Sequence, residues 1–162
     1  MTQDLVIPSF GPDIPLLRVL VSSIREFVPQ GLFDNLWLII TDDTDIKEFE
    51  FVRTSNIPTN ILHANNIFNP HQKHGQSGYI NQQIAKLMIA NKIQSDWYWI
   101  FDSKNFIIKP ITESNLYREG KARVSVDNPS SHWSKGWFAA LDYYGTSYHK
   151  AILNLTPYPV HT

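Results

Sequence analysis

The chain predicts an α/β fold, a single Rossmann-like domain whose mainly parallel central sheet is flanked by helices. Three observations carry this. Leu36-Trp37-Leu38-Ile39-Ile40 is a continuous apolar run closed by Thr41-Asp42-Asp43, which is how a parallel strand covered on both faces reads. Trp97 to Phe101 is a second such run, closed by Asp102-Ser103-Lys104. Before each of them lies a segment with apolar residues at helical spacing, and strands alternating with helices build a parallel sheet through right-handed crossovers.

Taken in order, Leu5-Val6-Ile7 is a short strand ended by Pro8-Ser9-Phe10-Gly11-Pro12. Asp13 is placed to cap a helix in which Ile14, Leu17, Val21, Ile24 and Val28 form one buried stripe, stopped by Pro29 and Gly31. After the Leu36–Ile40 strand, Asp45 to Arg53 reads as a short helix and Asn60 to Leu62 as a weak third strand, followed by an Asn-, His- and Gly-rich loop from Asn65 to Gly78. Periodicity returns at Tyr79: Ile80, Ile84, Leu87 and Met88 predict a helix with that stripe facing inward, ending near Gln94-Ser95-Asp96. Beyond Ile107 the elements shorten. Pro110, Gly120, Pro129, Gly136, Gly145 and Pro157 make the last third rich in loops, the kind of segment that carries binding. The chain stops in a strand-like stretch, Val160-His161-Thr162, without a closing helix, the pattern of a minimal or truncated domain.

Composition narrows the chemistry. With 162 residues and no Cys, the chain is long enough for one domain that buries roughly 70% of the surface its unfolded form exposes, and thiolate zinc sites and a cysteine nucleophile are excluded. Net charge is −1, so nothing draws the whole chain to nucleic acid or to an anionic membrane, and an anionic ligand has to be held locally. No apolar run approaches a membrane span, and the first residues have no basic leader, which makes a cytoplasmic location the default. A monomer or weak homodimer is expected. No Gly-x-x-x-x-Gly-Lys-[Ser/Thr] or Gly-x-Gly-x-x-Gly loop and no nucleophile elbow is present. His71 and His74 are three apart in the polar loop, which loop polarity explains better than metal binding.

The carboxylate after the Trp97–Phe101 strand is the most informative feature. In an open α/β sheet, ligands bind in the crevice outside the carboxyl ends of the strands, so Asp102 stands where a substrate or ion is expected. Gln82 and Lys86 share a helix face by their spacing, and Lys86 is within reach of a phosphate or of Asp102.

The segment Gly78-Tyr79-Ile80-Asn81-Gln82-Gln83-Ile84-Ala85-Lys86-Leu87, followed by Trp97 to Phe106 and Lys109-Pro110, resembles the central block of GT-A fold glycosyltransferases. In small bacterial and phage-type members, a Gly-aromatic-x-x-Gln-Gln-x-x-Lys-Leu helix precedes a strand ending in Asp-x-Asp and then Arg/Lys-Pro. The resemblance is tight over these residues and loose from Leu5 to Pro110. It implies a hexosyltransferase that moves a sugar from a nucleotide-diphosphate donor, UDP-sugar favoured, to a hydroxyl of a glycan or envelope saccharide. Residues 1–110 would form the donor half and 111–162 the acceptor half. Pro8, Ser9 and Phe10 fall in the loop that contacts the nucleoside in similar proteins, and Asp42 or Asp43 where an acid accepts from the base. Gln82, Lys86, Asp102 and Ser103 fall near the diphosphate.

Lys104 departs from that pattern. In the family the second acid of Asp-x-Asp holds Mn²⁺ or Mg²⁺ against the diphosphate, and such cations want oxygen ligands. An ammonium there either neutralises diphosphate charge itself, together with Lys86, or marks a site that has lost its metal and turnover and persists as a nucleotide binder, or points from a turn into solvent. The resemblance implies Asp102 and His161 as metal ligands, the latter because many GT-A proteins complete the metal shell with a late histidine. An inverting transfer needs a general base, and Asp127 and Asp142 are candidates. Asp127 is preferred because Val124-Ser125-Val126 reads as a strand that delivers it to the ligand edge. His132, Trp133, Trp137 and Tyr143 are candidates for the acceptor cleft.

Overall fold

The computed structural model describes residues 2–69, 77–123, 126–127, 153–154 and 158–162. Its centre is a five-stranded sheet in the order β3-β2-β1-β4-β9, formed by β1 (Gln3–Ser9), β2 (Leu36–Ile40), β3 (Thr59–His63), β4 (Trp97–Ile100) and β9 (Tyr158–His161). The first four strands are parallel, and β9 runs antiparallel along β4. The fold is therefore the mainly parallel α/β sheet that the alternation of segments predicts.

Strand alternation sorts the core into two layers. Leu5 and Ile7 of β1, Leu36, Leu38 and Ile40 of β2, and Trp99 of β4 face α1 (Ile14–Phe27), which buries Leu17, Leu20, Val21 and Ile24 against them. A 3₁₀ run from Ile46 to Ser55 closes this layer with Phe49 and Val52, and the Arg18 guanidinium of α1 lies 4.0 Å from the Phe51 ring centre. Val6, Ile39, Tyr98 and Ile100 face the other way, onto Ala85 of α2 (Ser77–Met88) and Ile89 just beyond it.

The remaining described elements are small. Thr112 and Asn115 form a capping box on α3 (Glu113–Leu116), and the ribbon β5 (Tyr117–Arg118) and β6 (Lys121–Ala122) turns through Glu119 and Gly120, both at positive φ. A second ribbon pairs β7 (Val126–Asp127) with β8 (Leu153–Asn154). Among the described residues, no helix is long and apolar enough to cross a membrane.

The structure corrects two local expectations. Asp13 occupies the residue before α1, yet its side chain makes no cap hydrogen bond. The apolar stripe of α2 is not its inward face: Ile80 is 42% and Leu87 64% exposed, while Asn81, Ala85 and Lys86 are buried. Ala85 is the small residue that lets the helix approach the sheet, and the rotation that seats it turns Lys86 toward β4. The helix leaves two apolar side chains exposed and gains an ion pair whose lysine is buried.

β1 is longer than its apolar run because its first two residues are buried polar groups with complete partner sets. The Asp4 carboxylate accepts from Asn35 N at 3.1 Å, Asn35 Nδ2 at 3.2 Å, Ser95 Oγ at 2.8 Å and Trp37 Nε1 at 2.7 Å. Gln3 Oε1 accepts from Tyr117 OH at 2.7 Å and Trp99 Nε1 at 3.1 Å, and Gln3 Nε2 donates to Leu32 O. Asp4→Ala strands several buried donors at once. It is expected to lower the unfolding free energy by about 3 kcal/mol, read as a shift of the urea midpoint at constant slope. A loss below about 1 kcal/mol would show that water replaces the carboxylate there.

Candidate functional site

The chain order places a cleft at the sheet's carboxyl edge. β1 leads to β2 and β3 on one side, whereas β4 lies on the other, so the direction of winding reverses between β1 and β4. At such a reversal the loops after the two strands part and leave a crevice. The loops following β1, β2 and β4 supply Phe10, Thr41, Asp42 and Lys104 to a cleft of about 410 Å³, and α2 supplies Gly78, Tyr79 and Gln82. That is the size of a small-molecule site.

The β1 and β2 loops are tied to each other. Asp42 Oδ2 accepts from Gly11 N at 3.0 Å and from Thr44 Oγ1 at 2.9 Å, and Asp42 Oδ1 accepts from Thr44 N at 3.3 Å. The His63 ring lies 3.2 Å from the Asp42 carbonyl, which brings in the end of β3. Gly11 lets the loops come this close, since a Cβ there would stand 2.5 Å from Thr44 Oγ1 and push that hydroxyl aside.

After β4 the chain turns sharply. Asp102 N donates to Asn105 Oδ1 at 2.8 Å and Asn105 N to Asp102 O at 2.9 Å, so three consecutive side chains leave the tip in different directions. Asp102 meets Lys86, whose Nζ is 2.7 Å from Asp102 Oδ1; the lysine side chain is 5% exposed and the carboxylate 34%. The Tyr98 hydroxyl donates to the Lys86 carbonyl at 2.9 Å and fixes that turn of α2. Ser103 is buried and donates to Asp13 Oδ2 at 2.5 Å. Lys104, with 63% of its side chain exposed, reaches the cleft while its Nζ stays 3.7 Å from Asp13 Oδ1.

Tyr158 of β9 pairs with Ile100, two residues before Asp102. Burial chiefly, and the Asp102 charge next, push its phenol up to about 12. Burial also raises Tyr98.

The residues singled out in the sequence fall into three groups. Phe10, Asp42, Gln82 and Lys104 line the cleft, and Lys86 and Asp102 adjoin it as a pair. Pro8 and Ser9 belong to β1 itself and are buried, Ser9 Oγ without a hydrogen-bond partner among the described residues. Ser103 points to Asp13, and Asp43 is exposed outside the cleft lining. His161 is a correction. It pairs with Trp97 at the amino end of β4, its ring 4.7 Å from the Trp97 ring, whereas Asp102 follows the carboxyl end. Five residues of strand separate the two levels by about 16 Å, so His161 shares no ion with Asp102. The backbone of Asp127 pairs with Leu153 in the second ribbon. The side chain of Asp127, and residues His71, His74, Val124, Ser125, His132, Trp133, Trp137, Tyr143 and Asp142, lie outside the described part.

Sequence reasoning missed Asp13, Thr41, Tyr79 and Tyr158. Asp13 reads as a helix cap, Tyr79 as the start of an apolar stripe, and Tyr158 joins the site only through the register of β9. Thr41 carries a signal, being the first residue after a buried parallel strand.

These residues do not fit a divalent cation. Asp102 is engaged by a buried ammonium, Lys104 two residues on is itself a cation, and among the described residues no group of three His, Asp or Glu side chains is assembled to hold a metal.

Strand order and cleft together define an open-sheet α/β domain with a crevice at its winding reversal. More particularly, the chain belongs to a family of unknown function, DUF6492, whose pattern matches residues 4–161. No curated protein matches it. Among solved structures it is similar to S. aureus TarS, at 12% identity and a TM-score of 0.46 over 90% of this chain and 20% of that one. It is also similar to a CMP:2-keto-3-deoxy-manno-octonic acid synthetase complexed with CTP, at 12% identity and a TM-score of 0.45 over 72% of this chain and 46% of that one. A third is glucosyl-3-phosphoglycerate synthase from Mycobacterium tuberculosis in complex with Mn²⁺, UDP and glucosyl-3-phosphoglycerate, at 18% identity and a TM-score of 0.39 over 63% of this chain and 33% of that one. The chain thus spans less than half the length of each.

Two outcomes are expected from this geometry. Gly11→Ala displaces the Thr44 hydroxyl and lowers stability by about 1 kcal/mol. In a Thr44→Ala background the same change is nearly neutral, so a double-mutant cycle in urea yields a coupling of similar size, and strict additivity would contradict the close approach. The Tyr158 phenol, raised above its ordinary 10.0, favours the folded state at pH below 10 and loses that contribution as pH rises through about 12. Absorbance titration should show a phenol ionising near that upper value, absent from Tyr158→Phe.

Proposed function

We propose that this chain binds a nucleotide-diphosphate sugar in the cleft, with a UDP-sugar favoured, and transfers the sugar to a hydroxyl of a glycan or envelope saccharide, as a hexosyltransferase does. The observation that carries this reading is the meeting of two aromatic side chains, Phe10 and Tyr79, with the Lys104 ammonium at the winding reversal. An aromatic face accepts a planar base, and a carboxylate such as Asp42 accepts from the N–H of a uracil. The ammonium meets the charge that matters. Transfer breaks the bond between the sugar's anomeric carbon and the diphosphate, the electron pair stays on the phosphate oxygen, and a positive group fixed there lowers the barrier. Gln82 offers an amide to the phosphates from the same helix face that carries Lys86. The resemblance of residues 78–87 and 97–106 to GT-A glycosyltransferases supports the same assignment. Asp127 is the residue proposed to take the acceptor's proton, and the saccharide acceptor is assigned to the half after residue 110.

One observation favours a second reading, a nucleotide-sugar-binding domain without turnover: Asp102, which would hold the metal of an active Asp-x-Asp site, is already paired with Lys86.

Calorimetric titration with UDP and GDP checks the donor site, and UDP is expected to bind more tightly. Phe10→Ala should weaken UDP about tenfold, the usual worth of one aromatic stacking partner. If neither nucleotide binds, the donor-site assignment is wrong. Release of free sugar from UDP-glucose or UDP-N-acetylglucosamine then separates a transferase from a binder.

A further inference from the structure

The tip after β4 carries two carboxylates and two ammonium groups, each acid beside its own lysine. Lys86 Nζ lies 2.7 Å from Asp102 Oδ1, and Lys104 Nζ lies 3.7 Å from Asp13 Oδ1. Two negative and two positive charges sum to zero, whereas a divalent-cation site needs a surplus of negative oxygen ligands. The two pairs differ in kind. Lys86 is buried, is in hydrogen-bonding range of its carboxylate, and sits on a helical turn fixed by the Tyr98 hydroxyl. Releasing Asp102 to a metal would leave that ammonium buried without its counter-ion, a costly arrangement. It would also bring a doubly charged cation up to the two lysines, and like charges repel strongly in a partly dry cleft.

Lys104 is the opposite case. It is exposed, it lines the cleft, and its distance from Asp13 is beyond hydrogen-bond range, so its N–H donors are not consumed by that carboxylate. Asp13 is held from below by Ser103 Oγ, which keeps the anion inside the fold and leaves the ammonium on the ligand side. An ammonium that is localised by a buried charge yet retains free donors is suited to phosphate oxygens.

We infer that the diphosphate of the ligand is bound by Lys104 in place of a divalent metal, with Lys86 holding Asp102 neutralised, so that nucleoside diphosphate binding is independent of metal ions. The inference rests on the donor-site reading proposed above and adds to it how the charge of the phosphates is met.

The test is calorimetric titration of UDP and of uridine into the full chain, once in the presence of a chelator and once with Mn²⁺, for the unchanged protein, Lys104→Ala and Lys104→Arg. Lys104→Arg keeps the charge beside Asp13 and should keep the thermal midpoint of the parent; Lys104→Ala leaves that buried carboxylate without its ammonium, so its affinities are read well below its own midpoint, with uridine binding as the control for an intact fold. The expected result is a UDP affinity that differs by less than about threefold between chelator and Mn²⁺. Lys104→Ala should lose about tenfold for UDP and nothing for uridine, and Lys104→Arg should retain most of the affinity, as a charge-assisted phosphate contact requires. Water-proton relaxation should show no Mn²⁺ held by the protein alone. UDP binding that tightens tenfold or more with Mn²⁺, or a Lys104→Ala protein that binds UDP unchanged, overturns metal independence while leaving the donor site standing. Failure of UDP to bind under either condition removes the donor site and this inference with it.

Discussion

The buried carboxylate of Asp4 is the constraint on which the rest of the sheet depends. Its two oxygens hold the residue before β2, an indole within β2 and the serine two residues before β4, so three parallel strands are pinned in register at their amino ends. Parallel strands of continuous apolar residues have little else to specify register, because a slip exchanges one apolar side chain for another. Four directed hydrogen bonds to one buried anion remove that ambiguity. Gln3 does the same on the other face, through Trp99 and Tyr117.

What is fixed at the amino edge is read out at the carboxyl edge. β1, β2 and β4 are short, so the positions of Phe10, Asp42 and Asp102 follow from register with little slack. The loops are then locked laterally, by Asp42 on Gly11 and by Ser103 on Asp13. The tip Asp102-Ser103-Lys104 distributes three neighbouring side chains to three environments: a buried ion pair, the core beside α1, and the cleft. Charge is balanced locally at each step, which agrees with a chain whose net charge is close to zero.

Much of this fold was legible because its signals are local. The β2 run coincides with its strand, and the stripe through Leu17, Val21 and Ile24 is the buried face of α1. The failures share a cause, dependence on a distant partner. Lys86 reads as within reach of Asp102, sixteen residues later, and lies 2.7 Å from it, but the apolar periodicity names the wrong face of α2, since Ala85 and Lys86 are buried and Ile80 and Leu87 are not. Asp13 reads as a cap until Ser103 is folded against it. The resemblance puts His161 beside Asp102, and spacing along the chain says nothing of the direction in which a last strand returns. The antiparallel register with β4 sends it to the other edge. Residue types that bear chemistry were therefore visible, and of their pairings only that of Lys86 with Asp102 was.

The antiparallel return of β9 has a practical side. Thr2 donates to the Asp96 carboxylate through both its backbone N–H and its hydroxyl, and Thr162 donates through its own backbone N–H to the Asp96 carbonyl, so positions 2 and 162 are clasped by one residue at the edge farthest from the cleft. A segment leading into position 2 or out of position 162 therefore runs from the side opposite the cleft, so what is joined to the sheet there stays clear of the crevice.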